Sequence, residues 1–292
     1  MTSHWAQPSR HDAWPQPPKA GTRGGRFDLA FTRHGTRTHI GRQFVSYPFH
    51  MTRPFTLDAA IPSLLTVYQQ SSSGGLYRDD RLESRYELGA GTAAHVTTQA
   101  ATVVHDCHGQ PARQANEIVL DEGAFLALAP DPLVLFPGAS CSNILQARLA
   151  SGAVLFLSDA FDCHDPQGIG RPFDRLRSDI VICDAKGRLV VRDSLEVTGS
   201  DLAGPASPIG GWHVVSSFMF LGDASRLPDA RTLEAVKQPA AAILGVSALA
   251  DGSGWGVRCL SADATAALAV AECLFALAVQ AAFGHQPAPR RK

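Results

Sequence analysis

The run YPFHMTRPFTLDAAIPSLLTVYQQSSSGGLYRDDRL, residues 47–82, decides how the rest of the chain is read. It is a Pro-punctuated strand, a second strand over LLTVYQQSS, and a Gly74-Gly75 turn that opens onto Asp79 and Asp80. Alternating apolar and polar residues indicate half-buried strands, and Gly pairs indicate tight turns. The same grammar extends outward in both directions. FDLAFTRHG places Phe27, Leu29 and Phe31 on one face. RLESRYELG, AHVTTQAATVVH, ANEIVLDEG, AFLALAPDPLVLF, NILQARLASGAVLFLSD, DIVICDAKGRLVVRDSLEV, WHVVSSFMFLG and AAILGVSAL read likewise. Turns are marked at Gly89-Ala-Gly91, Asp121-Glu-Gly123, Asp184-Ala-Lys-Gly187 and Asp251-Gly-Ser-Gly254. The expectation is a mainly β chain, one large sandwich-like or solenoid-like domain over residues 26–284 with few helices. No internal repeat of fixed period is visible.

Two segments depart from this pattern. Residues 1–25 are rich in Pro, Gly and polar residues and read as a disordered tail with no apolar leader. Near the other end, ADATAALAVAECLFALAVQAAF reads as a helix capped by Ser261 or Asp263 and stopped at Gly284. It is apolar enough to span a bilayer. Glu272, Gln280, its many small Ala and the lack of an upstream basic flank favour a helix buried in the domain or at a partner surface. Residues 285–292, HQPAPRRK, read as a solvated tail.

Composition narrows the function. The 292 residues are 45% hydrophobic, enough for a real core, and carry a net charge of -1. No global field draws nucleic acid or an anionic membrane. The six cysteines, at 107, 141, 163, 183, 259 and 273, form no CxxC pair and suit reduced thiols in a cytoplasmic protein. GxSxG, Walker A, HExxH and a helix-opening GxGxxG are all absent. Three runs carry metal-capable side chains. His105-Asp106-Cys107-His108 offers soft ligands suited to nickel or zinc, or else is a polar strand end before a turn. Asp162-Cys163-His164-Asp165 offers a similar set, or else a solvated loop. Asp79-Asp80 offers hard ligands or acid/base groups, or else an ion-pair network with Arg78 and Arg81.

Several runs, in order, resemble the UreD (UreH) family of urease accessory proteins. Gly25-Arg26-Phe27-Asp28-Leu29 with Arg37-Thr38 resembles the family's opening strand. Gly74-Gly75-Leu76 with Asp80-Arg81-Leu82 is similar to its Gly-Gly-Leu/Asp motif. Thr97-Thr98-Gln99-Ala100-Ala101-Thr102 is similar to its Thr-Thr-Gln segment, and Pro130-Asp131-Pro132 through Phe136 to its Pro-Asp-Pro segment. Gly211-Trp212-His213 and the Val-Arg-Cys-Leu strand before the last helix complete the series. Gly170-Arg171 stands where many members have Gly-Glu.

The resemblance implies a non-enzymatic maturation factor. Such a protein binds apo-urease and a UreF-type partner that recruits a UreG-type GTPase, and nickel passes through it in transit with no tightly held cofactor. Asp80, Asp131, His105, Cys107 and His108 are the candidates for transient nickel contact. The alternatives are a metal-dependent enzyme built on the His/Cys/Asp runs and a β-sandwich ligand-binding module.

Overall fold

A computed structural model describes residues 23–236 and 241–289. In chain order the strands are β1 (Gly24–His34), β2 (Arg37–Val45), β3 (Phe49–Met51), β4 (Leu64–Ser71), β5 (Arg81–Leu88), β6 (Ala93–Thr97), β7 (Thr102–Val104), β8 (Ala112–Leu120) and β9 (Phe125–Ala129). They continue as β10 (Leu133–Leu135), β11 (Ser140–Leu149), β12 (Val154–Cys163), β13 (Arg175–Asp184), β14 (Leu189–Val197), β15 (Val214–Gly222), β16 (Ala242–Ala248) and β17 (Gly254–Ser261). Two α-helices accompany them, the short α1 (Ala230–Glu234) and the long α2 (Ala264–Phe283).

The strands form a seven-stranded sheet, ordered β14-β13-β11-β8-β5-β1-β2, and a ten-stranded sheet ordered β16-β17-β15-β12-β9-β6-β4-β3 with β7 and β10 beside β12. From β4 to β13 the chain alternates between the two sheets. Consecutive visits to a sheet therefore lie side by side and parallel, as in a solenoid. Residues 64, 93, 125 and 154 stand in register across one sheet, so its coils are 29, 32 and 29 residues long. Residues 81, 113, 142 and 177 do the same across the other, with coils of 32, 29 and 35 residues. The coils repeat in the backbone, but their length varies and no side chain recurs with them, so no fixed period shows in the sequence. Antiparallel strands cap the stack: β2 and β3 at one end, β14, β15, β17 and β16 at the other.

Period-2 alternation sorts the side chains into layers. Phe27, Leu29 and Phe31 face Leu65, Val67, Leu126 and Leu155 between the sheets. The opposite face of the ten-stranded sheet, with Phe125, Phe156, Phe218 and Phe220, packs under Val270, Leu274 and Val279 of α2. Each such fully buried side chain contributes about 1.5–3 kcal/mol. Asp263 caps α2 through the Ala266 N–H, and Gly284 ends it at φ 74°, as the sequence indicates. By length and composition α2 could cross a membrane, yet one of its faces is committed to this core.

Two boundaries move. Residues 1–22 of the expected tail lie outside the described residues, but Gly24 and Gly25 already belong to β1. At the other end, residues 285–289 are not simply solvated. The chain turns back after α2, and the Ala288 N–H donates to Asp58 Oδ1 at 2.6 Å. Positions 290–292 lie outside the described residues.

Candidate functional site: a hollow between the sheets

The runs AHVTTQAATVVH and AFLALAPDPLVLF each read as one strand, and each is broken. β6 stops at Thr97 and β7 resumes at Thr102; β9 stops at Ala129 and β10 resumes at Leu133. Pro130 and Pro132 lack the N–H that a ladder needs, which ends the second strand. β12 runs unbroken past both gaps, pairing first with β9 and then with β10.

The gaps open onto a cavity of about 620 Å³ between the two sheets. Its wall holds Gln69, Ser84, Gln114, Asn116, Asn143, Asp159 and Ser178, all at positions where alternation directs side chains inward. Its outer rim is Ser71, Gly74 and Gln99–Ala101. A second, more apolar cavity of about 240 Å³ lies on the other face of the ten-stranded sheet, beneath α2, with His95, Phe275 and the returning residues 287–289 in its wall. Pro130, Asp131, Ser158 and Ala160 line both cavities. Asp131 thus sits in the partition, buried, at the strand break. Its backbone N–H donates to Thr98 Oγ1 at 2.8 Å, which ties the two broken strands together.

The Gly-Gly turn is fastened to the rim. Leu76 N–H donates to Val103 O at 2.8 Å, and His105 N–H donates to Leu76 O at 3.0 Å. Gly75 has φ 139°, and a Cβ there would stand 2.2 Å from Val103 O. That oxygen already accepts from Leu76, so it has no freedom to yield. Gly75→Ala should therefore cost at least about 3 kcal/mol from strain and clash together. A thermal unfolding midpoint close to wild type would show that the turn relaxes freely.

Asp80 closes the turn from beneath. Only 1% exposed, it accepts from Arg23 Nε at 2.8 Å, Arg23 Nη2 at 2.6 Å and Tyr77 N–H at 2.9 Å. Its carboxylate raises the Arg23 pKa, chiefly through these bonds. Both oxygens are engaged in holding the turn.

The other expected ligands diverge. His105 stacks on Tyr77 at 4.4 Å, and its Nε2 lies 3.0 Å from Gly74 O, behind the rim. Cys107 is fully buried, its thiol directed to His105 O and Ser140 O. His108 stands in an exposed turn against Asp106. In the second run, burial pushes the Cys163 thiol up to about 12, and the Asp165 carboxylate is taken by Arg171 and three backbone N–H groups. Arg171 is spent on that loop. Among the described residues, no three His, Cys, Asp or Glu side chains gather as a metal site.

Asp159 and Asn143 were missed at the level of sequence. Their signal was a polar residue on the inward side of an otherwise apolar alternation, Leu155-Leu157-Asp159-Phe161 and Cys141-Asn143-Leu145-Ala147. Asp159 accepts from Ser178 Oγ at 2.6 Å. Burial raises its pKa, and the Ser178 bond opposes the rise. The native state thus keeps a proton at pH values where the unfolded chain has released it. The stability due to this group falls as pH climbs from the ordinary Asp value through the raised one. Asp159→Asn should remove that slope, so the variant gains on wild type from acid towards neutral pH. Unfolding midpoints measured across that range should diverge; a constant offset would mean Asp159 titrates normally.

Comparison with known proteins agrees with the motif order. The family model described as UreD urease accessory protein matches residues 23–292. Urease accessory protein UreD 1 of Methylorubrum extorquens (strain PA1) is 40% identical over 266 residues, 90% of each chain. A protein of the same name from Bradyrhizobium sp. (strain BTAi1 / ATCC BAA-1182) is 39% identical over 264 residues, 90% of this chain and 93% of its own. Another, from Pseudomonas syringae pv. syringae (strain B728a), is 36% identical over 258 residues, 87% of this chain and 90% of its own.

Proposed function

The chain belongs to the UreD urease accessory protein family, and on that premise we propose that it is a non-enzymatic maturation factor through which nickel reaches apo-urease. In this reading it works in the cytoplasm. It holds apo-urease on one side and a UreF-type protein on the other, and a UreG-type GTPase supplies the ion in a GTP-dependent step.

One observation supports the conduit above all. Residues 74–76, 98–102 and 130–131, far apart in sequence, meet around one hollow that adjoins a second across Asp131. The donors there are dispersed amide, hydroxyl and carboxylate oxygens. Such a lining replaces part of a divalent ion's hydration shell without trapping it, as conduction requires. The carboxyl oxygens of Asp131 and Asp159 are the hardest of these donors.

Co-expression with apo-urease and the UreF-type and UreG-type proteins tests the reading. A stable assembly should form, and urease in it should gain nickel when nickel and GTP are given. No assembly with any of these proteins, or activation indifferent to this chain, would contradict it.

A further inference from the structure

Residues 23–53 contain six Arg, three His and a single acid, Asp28, a net charge of +5 in a chain whose total is -1. These residues form the β1–β2 hairpin and the end of the seven-stranded sheet. Among the described residues β2 is the outermost strand there and pairs only with β1. Its nine residues leave one row of backbone N–H and C=O groups open to a further strand. On the outer face of β2 lie Arg37, His39, Arg42 and Phe44, all exposed, with a bulge at Gly41 between the two halves.

Part of this charge is used internally. Arg23 pairs with Asp80, Arg26 with Asp28 and Arg42 with Glu87. The rest is not neutralised. Arg33 donates to the carbonyls of Gly35 and Gly91, and among the described residues no carboxylate pairs with Arg33 or Arg37. His34 and His39 meet edge to face beside them, ring centroids 5.5 Å apart. A positive corner therefore flanks an open strand edge, next to the 52% exposed ring of Phe44.

We propose that the β2 edge is a docking site for an extended, acidic segment of an assembly partner, which adds to the sheet as an eighth strand. Backbone bonds to β2 give the register. Carboxylates two residues apart on the incoming strand face Arg37 and His39, and an apolar residue covers Phe44. A second copy of this chain does not fit. Of its other strand edges, β3 and β16 carry no acid, and the acids of β14, Asp193 and Glu196, are taken by Arg258 and Arg175. The inference rests on the reading of the chain as an assembly factor and names the surface it uses.

The test uses the full chain within the co-expressed assembly. A photoreactive benzoylphenylalanine replacing Phe44 should cross-link to a partner, and the linked segment should be rich in Asp and Glu. The double variant Arg37→Glu/His39→Glu should lower capture of that partner about tenfold at about 50 mM salt, with the gap narrowing at about 500 mM. Arg37→Gln/His39→Gln should lie between. Unchanged capture would overturn the proposal and leave the charges as a guard against self-pairing. So would a cross-link to nucleic acid, to another copy of this chain or to a segment without acids. If wild type itself captures no partner, the functional reading beneath the inference fails first.

Discussion

Asp80→Ala is expected to lower the unfolding free energy by about 3 kcal/mol and to take urease activation down with it. The side chain is buried and accepts three bonds. Its loss leaves the Tyr77 N–H and two guanidinium N–H groups without their partner. Arg23 is 32% exposed and regains some hydration, which keeps the cost at the low end for a broken buried pair. Asp80→Asn retains an acceptor for Tyr77 and one for Arg23, so about 1–2 kcal/mol should be lost and most activation kept. Arg23→Ala should approach the Asp80→Ala stability, and the double variant should add little to either. An Asn variant as inactive as Ala, with its assembly intact, would return Asp80 to the path of the ion.

Asn143→Phe is the second large effect. Asn143 lines the hollow midway along the wall, between Gln114 and Ser178 in register, and its Oδ1 accepts the thiol of Cys141 at 3.3 Å. A phenyl ring there fills polar space with apolar volume and displaces the water a moving ion needs. Activation of urease should fall about tenfold or more, equivalent to at least about 1.4 kcal/mol, while the assembly still forms. Ser142→Phe, one residue along and on the outer face, should leave activation near wild type. Equal activity of the two variants would mean that the hollow carries nothing.

The layers of this fold were legible because burial has a period of two. Phe27, Leu29 and Phe31 announce an inward face, and each is buried. The caps of α2 were legible as well, since Asp263 and Gly284 act on the backbone beside them. Parallel pairing was not. Leu64 stands beside Ala93, and Ala93 beside Phe125, through coils of unequal length that leave no repeated residue. The metal candidates do not gather in one place, for a related reason. His105, Cys107 and His108 are neighbours in sequence, but strand and turn geometry sends them to the rim, the core and solvent. The hollow is assembled by residues about 30 apart, such as Gln114, Asn143 and Ser178, each unremarkable in its own strand. Asp131 alone was named from sequence and also lies in the cavity wall, because its flanking prolines break the strand that would otherwise seal the gap.

The central claim is that nickel travels inside this chain and not through bulk solvent. The direct measurement is transfer of radioactive nickel from the loaded GTPase to apo-urease, within the purified assembly and in the presence of an excess external chelator. With the wild-type chain, nickel should appear in urease despite the chelator. With Asn143→Phe it should not, though the assembly remains whole. Interception of all the nickel by the chelator in the wild-type assembly, or full transfer through the Asn143→Phe chain, would contradict the account.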